Sequence, residues 1–202
     1  MNKHFGKRVE NIWKDLRPMT KKMLEGALKK AKPANKQKFS YDAHADWELS
    51  NLLTALDEQV QDPEARKDST GYREIADLAN VCAGLLAART ESAEVFIQLA
   101  KRTLKRNDFA GIDKLADILF ERFSAGEIAE IIRQTEMAQI RAIAYETLAV
   151  LPTTLVVPLL DDPLYFEIAV NVLEQQAMEF ESDQARAVLE HLDSGMDYEE
   201  DF

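Results

Sequence analysis

From Tyr41 to Leu192 apolar side chains return every three or four residues, and no segment sustains the alternation of a half-buried strand. Leu49, Leu52, Leu53, Leu56 and Val60 form one such stripe; Tyr72, Ile75, Leu78, Ala79, Cys82, Leu85 and Leu86 form another. Phe96, Leu99, Ala100 and Thr103, then Ile112, Leu115, Leu119 and Phe123, continue the pattern. A side chain every 100° along a helix makes each stripe one apolar face, so each segment must shield that face against a neighbour. The run Leu155 to Leu160 is strand-like, but Pro158 within it argues against a central strand. These constraints leave an all-α chain of short packed helices.

The punctuation between stripes agrees. Asp42 is placed to cap the helix that follows it, and acids in a first turn favour the positive end of the helix dipole. Asp62-Pro63 predicts a turn or a cap, and Asp68-Ser-Thr-Gly71 divides two stripes. Ser124 and Glu127 have the spacing of a capping box. Asp162-Pro163 offers an N-cap with proline at the first helical position.

Charge divides the chain. Residues 1–38 hold twelve Lys or Arg against Glu10, Asp15 and Glu25, a balance of +9, while the rest carries thirteen basic and thirty-three acidic residues, −20. Phe5, Val9, Ile12, Trp13, Leu16, Met19 and Met23 share one side of a basic amphipathic segment that Pro18 kinks or splits. Between Lys29 and Lys38 the apolar pattern lapses. The expected organisation is a basic N-terminal arm and linker over 1–40, a helical domain over 41–192 and an acidic, disordered tail over 193–202.

A repeat lies within the helical domain. At a spacing of 25 residues, Ile131-Ile132 aligns with Val156-Val157, Ile143-Ala144 with Ile168-Ala169, and Leu148 with Leu173. Each unit reads as a short helix, a turn and a longer helix carrying a small alanine at its closest contact. The segment from Pro158 to Leu173, with Asp-Pro at its turn, resembles the second-helix pattern of HEAT-like α-solenoid repeats, over about residues 109–192. The period is shorter than the usual HEAT unit of about 40 residues. The resemblance implies stacked antiparallel helix pairs that offer an extended surface to a protein partner. An irregular helical bundle is the alternative.

Signatures of catalysis are missing from the sequence. The seven glycines are too scattered for a phosphate loop, and neither a His-Glu-x-x-His nor a nucleophile elbow occurs. Asp42-Ala-His44-Ala-Asp46 could combine imidazole and carboxylate on a metal, with Glu48 one turn beyond His44, but a solvated helix start accounts for it. Cys82 lies in an apolar stripe and is expected as a small core residue, and Trp47 and Tyr165 are likewise expected to pack inside. No catalytic, cofactor or metal residue is therefore assigned, and no enzyme is expected. One cysteine forms no intrachain disulfide, and the chain has no apolar span of about 20 residues, so a cytoplasmic setting and no membrane partner are expected.

The residues singled out for binding are charged or aromatic. Lys7, Arg8, Trp13, Lys14, Arg17, Lys21 and Lys22 on the arm could bind nucleic-acid phosphates, an anionic surface or a protein; the arm's apolar side could equally pack on the first helices of the body. Arg133 and Arg141, with Gln134 and Glu167, stand near turns of the later helices. Tyr198 and Phe202 punctuate Ser194-Gly-Met-Asp-Tyr-Glu-Glu-Asp-Phe202, a peptide that resembles the acidic tip of bacterial single-stranded DNA-binding proteins but lacks the proline before the phenylalanine. The favoured function is a non-enzymatic protein-interaction or adaptor module. Its alternatives are a nucleic-acid-binding accessory protein acting through residues 1–38 and a small-ligand or hydrolytic enzyme on a helical scaffold. Oligomeric state is left open.

Overall fold

The computed structural model describes residues 5–28 and 41–196; the lysine-rich stretch 29–40 and the binding candidates Tyr198 and Phe202 fall outside them. Every regular element among the described residues is helical. The chain divides into two compact units, Met1–Val95 and Phe96–Phe202.

In the first unit, α1 (Lys7–Asp15) and α2 (Pro18–Leu28) precede the two long helices α3 (Ala43–Gln61) and α4 (Ser69–Arg89). Pro18 splits rather than kinks the basic segment: α1 closes at Leu16, and Pro18 opens α2, where its missing N–H costs nothing. Asp42 caps α3 by accepting the amide of Ala45 at 2.8 Å, and Asp68 caps α4 through the amides of Thr70 and Gly71. Between these helices Asp62 makes a turn, accepting from the Glu64 amide, and a short 3-10 helix follows at Ala65–Lys67. The core is the meeting of the two expected stripes. Leu49, Leu52, Leu53 and Leu56 of α3 and Ile75, Leu78, Ala79, Cys82 and Leu86 of α4 are all buried. Each large aliphatic side chain so buried contributes about 1.5–3 kcal/mol. Helix α1 packs on α3, and α2 packs on α3 and α4, burying Val9, Leu16 and Leu24.

The second unit continues α5 (Ala93–Lys105) from Phe96, then α6 (Phe109–Arg122), α7 (Ala125–Gln134), α8 (Ala138–Ala149), the single turn α9 (Thr153–Val156), a 3-10 helix (Val157–Asp161), α10 (Phe166–Glu179) and α11 (Asp183–Met196). Ser124 caps α7 by accepting the amide of Glu127. Helices α6, α7 and α10 pack on α8, and α11 packs on α10. Where α5 joins this core, the rings of Phe96 and Phe123 meet edge to face at 5.6 Å. Of the positions paired at 25-residue spacing, Ile131 and Val156, Ala144 and Ala169, and Leu148 and Leu173 are fully buried in both copies, whereas Val157 and Ile143 are less buried than Ile132 and Ile168.

Asp162-Pro163 departs from the expected N-cap. The Asp162 side chain accepts from Leu164 and its carbonyl from Tyr165 and Phe166, so the dipeptide closes a turn and α10 begins only at Phe166. The Asp162 side chain and carbonyl between them take three successive amides, those of Leu164, Tyr165 and Phe166, at this turn.

No single described helix is long and apolar enough to cross a membrane; α8 and the α9 segment satisfy that test only together, across a 120° bend.

Candidate functional site

An open groove of about 610 Å³ lies in the second unit where α7, α8 and the start of α10 converge. Helices α7 and α8 bring Arg133, Arg141 and Tyr145 to it; the 3-10 helix and α10 bring Asp161 and Glu167. Its apolar lining includes Ile132 and Ile168, both buried, and the exposed Leu164. Arg133, Arg141 and Glu167, distant in sequence, thus come to one site. Gln134 does not line it; its side chain donates to Glu130.

The two arginines are held in place before any ligand arrives. Glu130 receives Arg133 Nε at 2.7 Å, Gln134 Nε2 at 2.6 Å and the Tyr165 hydroxyl at 2.9 Å. The Arg133 guanidinium, more than the other donors, holds the Glu130 carboxyl down at about 2. Burial and the bond to Glu130 push the Tyr165 phenol upward, so it stays a neutral donor. Arg141 is fixed differently, through Nη2 to the carbonyl of Thr135 at 2.6 Å. Thr135 is buried at the end of α7, and its carbonyl is one that the helix leaves unpaired. Tyr165, expected in the core, is half-buried and serves as the strut between α10's approach and α7.

The binding candidates of the arm have other surroundings. Arg17 donates to both oxygens of Asp42 and, through its backbone amide and Nε, to Glu48. Arg8 is paired with Glu58. Lys21 reaches back to the carbonyl of Lys14 at 2.8 Å. Trp13 is half-buried, and Lys7, Lys14 and Lys22 are exposed.

His44 and Glu48 do share a face, with Nε2 at 3.9 Å from Oε1, but Glu48 is buried and already accepts from Arg17 and Thr20. Asp46 points elsewhere, to the hydroxyls of Tyr41 and Thr90. Among the described residues no three His, Cys, Asp or Glu side chains come together as metal ligands. Trp47 differs from its expected place in the core: it is 63 % exposed, its ring beside that of His44. The buried positions of α3 around it are Ala45, Asp46, Glu48 and Leu49, which turns position 47 to solvent.

The sequence does not single out Glu130 or Thr135, which anchor the two arginines, and Asp161, which lines the groove, reads there as a turn or capping residue beside Asp162. Glu130 at three residues before Arg133 was the one readable signal, an i, i+3 ion pair.

No protein-family model matches the chain, and neither a curated protein nor a solved structure matches it.

Proposed function

We propose that the chain is a non-enzymatic protein-interaction module, with helix pairs stacked in a HEAT-like manner as its scaffold and the groove of α7, α8 and α10 as its peptide-binding surface. The observation that carries this reading is the composition of the groove: two tethered guanidinium groups, two carboxylates and an apolar lining in one open cleft. A guanidinium already fixed loses little freedom when it grips a carboxylate with two parallel bonds. Charges of both signs set the register of a bound segment, and apolar contact supplies affinity. The matching ligand is a segment of a partner protein with an acid for Arg141, a base for Glu167 and an apolar side chain between them for Leu164 and Phe166.

A nucleic-acid role for the arm has less support. Arg8 and Arg17, two of the cations it would offer to phosphates, are occupied by Glu58, Asp42 and Glu48.

Selection from a library of random peptides displayed on phage, with the full chain as target, tests the proposal. Selected sequences should carry an acid and a base flanking an apolar residue. Their affinity should fall at least about tenfold in Arg141→Glu and in Leu164→Ala, a loss of about 1.4 kcal/mol. Peptides that bind both variants as well as the parent would remove the groove as the site.

A further inference from the structure

Helix α6 is amphipathic, yet its outer side is not wholly polar. Asn107, at φ 53°, turns the chain out of α5, and Asp108 caps α6 by accepting the Gly111 amide at 2.9 Å. That cap makes Phe109 the first residue of the helix. Leu115 and Leu119 are buried, so their side of α6 faces the core of the second unit. Phe109 and Phe120 are 72 % and 53 % exposed. Eleven residues at about 100° each make three turns and about 20°, so both side chains leave the helix in nearly the same direction, about 16.5 Å apart. Ala116 and Ile112, half-buried, lie about 20° and 60° round towards the core. The four make an apolar stripe at i, i+3, i+7 and i+11, the spacing by which one helix seats along another. All four belong to one helix, so its pitch alone puts them on one face.

Along α6 the charge bordering this stripe has one sign. Asp113, Asp117 and Glu121 recur at i, i+4 and i+8 on its solvent side, and all three are exposed. Lys114, also exposed, stands about 140° round from Phe109, beyond the acidic row and off the stripe. Single exposed apolar residues are ordinary; two aligned phenylalanines beside a row of acids are the pattern of a helix that pairs with a basic one.

We propose that the outer face of α6, built on Phe109, Ala116 and Phe120 beside Asp113, Asp117 and Glu121, docks a basic amphipathic helix of a partner protein. The partner's apolar stripe covers the two rings and fills the space over Ala116, where a methyl group stands between them. Lysines or arginines on one flank of the partner meet the acidic row, as flanking charges decide partner choice between paired helices. Nucleic acid and anionic lipid would bring phosphates against the same acids. A second copy laid antiparallel along α6 would set the acidic row against itself. The surface is separate from the groove, which is lined by residues between Ile132 and Ile168.

The test uses the full chain and designed peptides of leucine and lysine, each about fourteen residues, a length of about 21 Å as a helix. One places leucine along a single helical face, one has the same composition scrambled, and a third replaces lysine by glutamate. Fluorescence anisotropy at about 0.15 M salt is expected to show binding of the amphipathic Leu-Lys peptide. The scrambled and Leu-Glu peptides should bind at least about tenfold more weakly. The double variant Phe109→Ala, Phe120→Ala should lose binding by a similar factor. Both side chains are exposed and alanine favours a helix, so its unfolding midpoint should stay near that of the parent. Asp113→Asn with Asp117→Asn should weaken binding and flatten its salt dependence, and Arg141→Glu in the groove should leave it unchanged. Equal binding of the scrambled peptide, or binding indifferent to Phe109 and Phe120, would overturn the proposal. So would sedimentation showing a dimer that the Phe109, Phe120 variant abolishes, since the occupant would then be a second copy.

Discussion

Arg17 meets Glu48 twice, its backbone amide on one carboxylate oxygen at 2.6 Å and its Nε on the other at 3.0 Å. The carboxylate therefore stands at the start of α2, where the helix leaves amides unpaired and its dipole favours negative charge. Thr20, buried in the first turn of α2, gives its hydroxyl to the same group. A glutamate of α3 thus caps a helix that lies thirty residues earlier in the chain. Arg17 then extends from Glu48 to Asp42, joining the cap of α3 to the start of α2.

Glu48 is 3 % exposed, so its removal strands donors that water does not reach. Glu48→Ala is expected to cost about 2–4 kcal/mol, the penalty for leaving a buried, charge-assisted set of bonds unmade. Glu48→Gln, which keeps the shape and one acceptor oxygen, should cost less. Urea unfolding followed by tryptophan fluorescence measures both, since Trp13 and Trp47 are the two tryptophans and both lie in the first unit. Hydrogen exchange of the α1 and α2 amides should rise most.

Acid should weaken both units. In the first, hydrogen bonds from Arg17 hold the Asp42 carboxyl well below its ordinary range; burial pushes Glu48 up, but Thr20 and Arg17 together outweigh it and lower it. In the second, Glu130 sits at about 2 against an ordinary 4.5. A folded-state pKa that is depressed means the unfolded chain takes up the proton first. The stabilisation is complete above about 4.5 and is lost as pH falls towards about 2. Urea midpoints measured by circular dichroism across that window should fall steadily with pH. Glu130→Gln should remove part of the slope while lowering stability at neutral pH.

Gln176 carries three hydrogen bonds in a buried setting, two donated and one accepted. Gln176→Ala is expected to destabilise the second unit by about 2–4 kcal/mol, from stranded carbonyls and the space left behind. Calorimetry of the full chain should show the loss. Gln176→Glu, which cannot donate to the carbonyls of Ala149 and Leu151, should be no better than the alanine.

Cys82 is fully buried, and its thiol points to the carbonyl of Leu49. A thiol reagent such as a disulfide dye should therefore react at the rate at which the first unit opens, and at once in strong urea. Glu48→Ala should speed the native-state reaction. Rapid labelling of the parent chain in native buffer would contradict this burial.

Periodicity alone located most of the helices and their inward faces. Leu49, Leu52, Leu53 and Leu56 lie inside as their spacing requires, and so do Ile75, Leu78, Ala79 and Cys82. Asp42, Asp68 and Ser124 cap the helices they precede, because a cap is a contact between residues two or three apart. Trp47 was misplaced for a related reason: composition marks tryptophan as core, but its angle on α3 faces solvent.

Contacts across long sequence separations were decided by the tertiary structure alone. No local rule joins Arg17 to Glu48, or Gln176 to the carbonyls of Ala149 and Leu151, since each requires two helices to be already packed. The same holds for the groove: Arg133, Arg141 and Glu167 could be read as exposed from their positions near turns, but not as neighbours. Local spacing fixes which side of each helix avoids water. Only packing fixes which polar groups are brought together when those sides close.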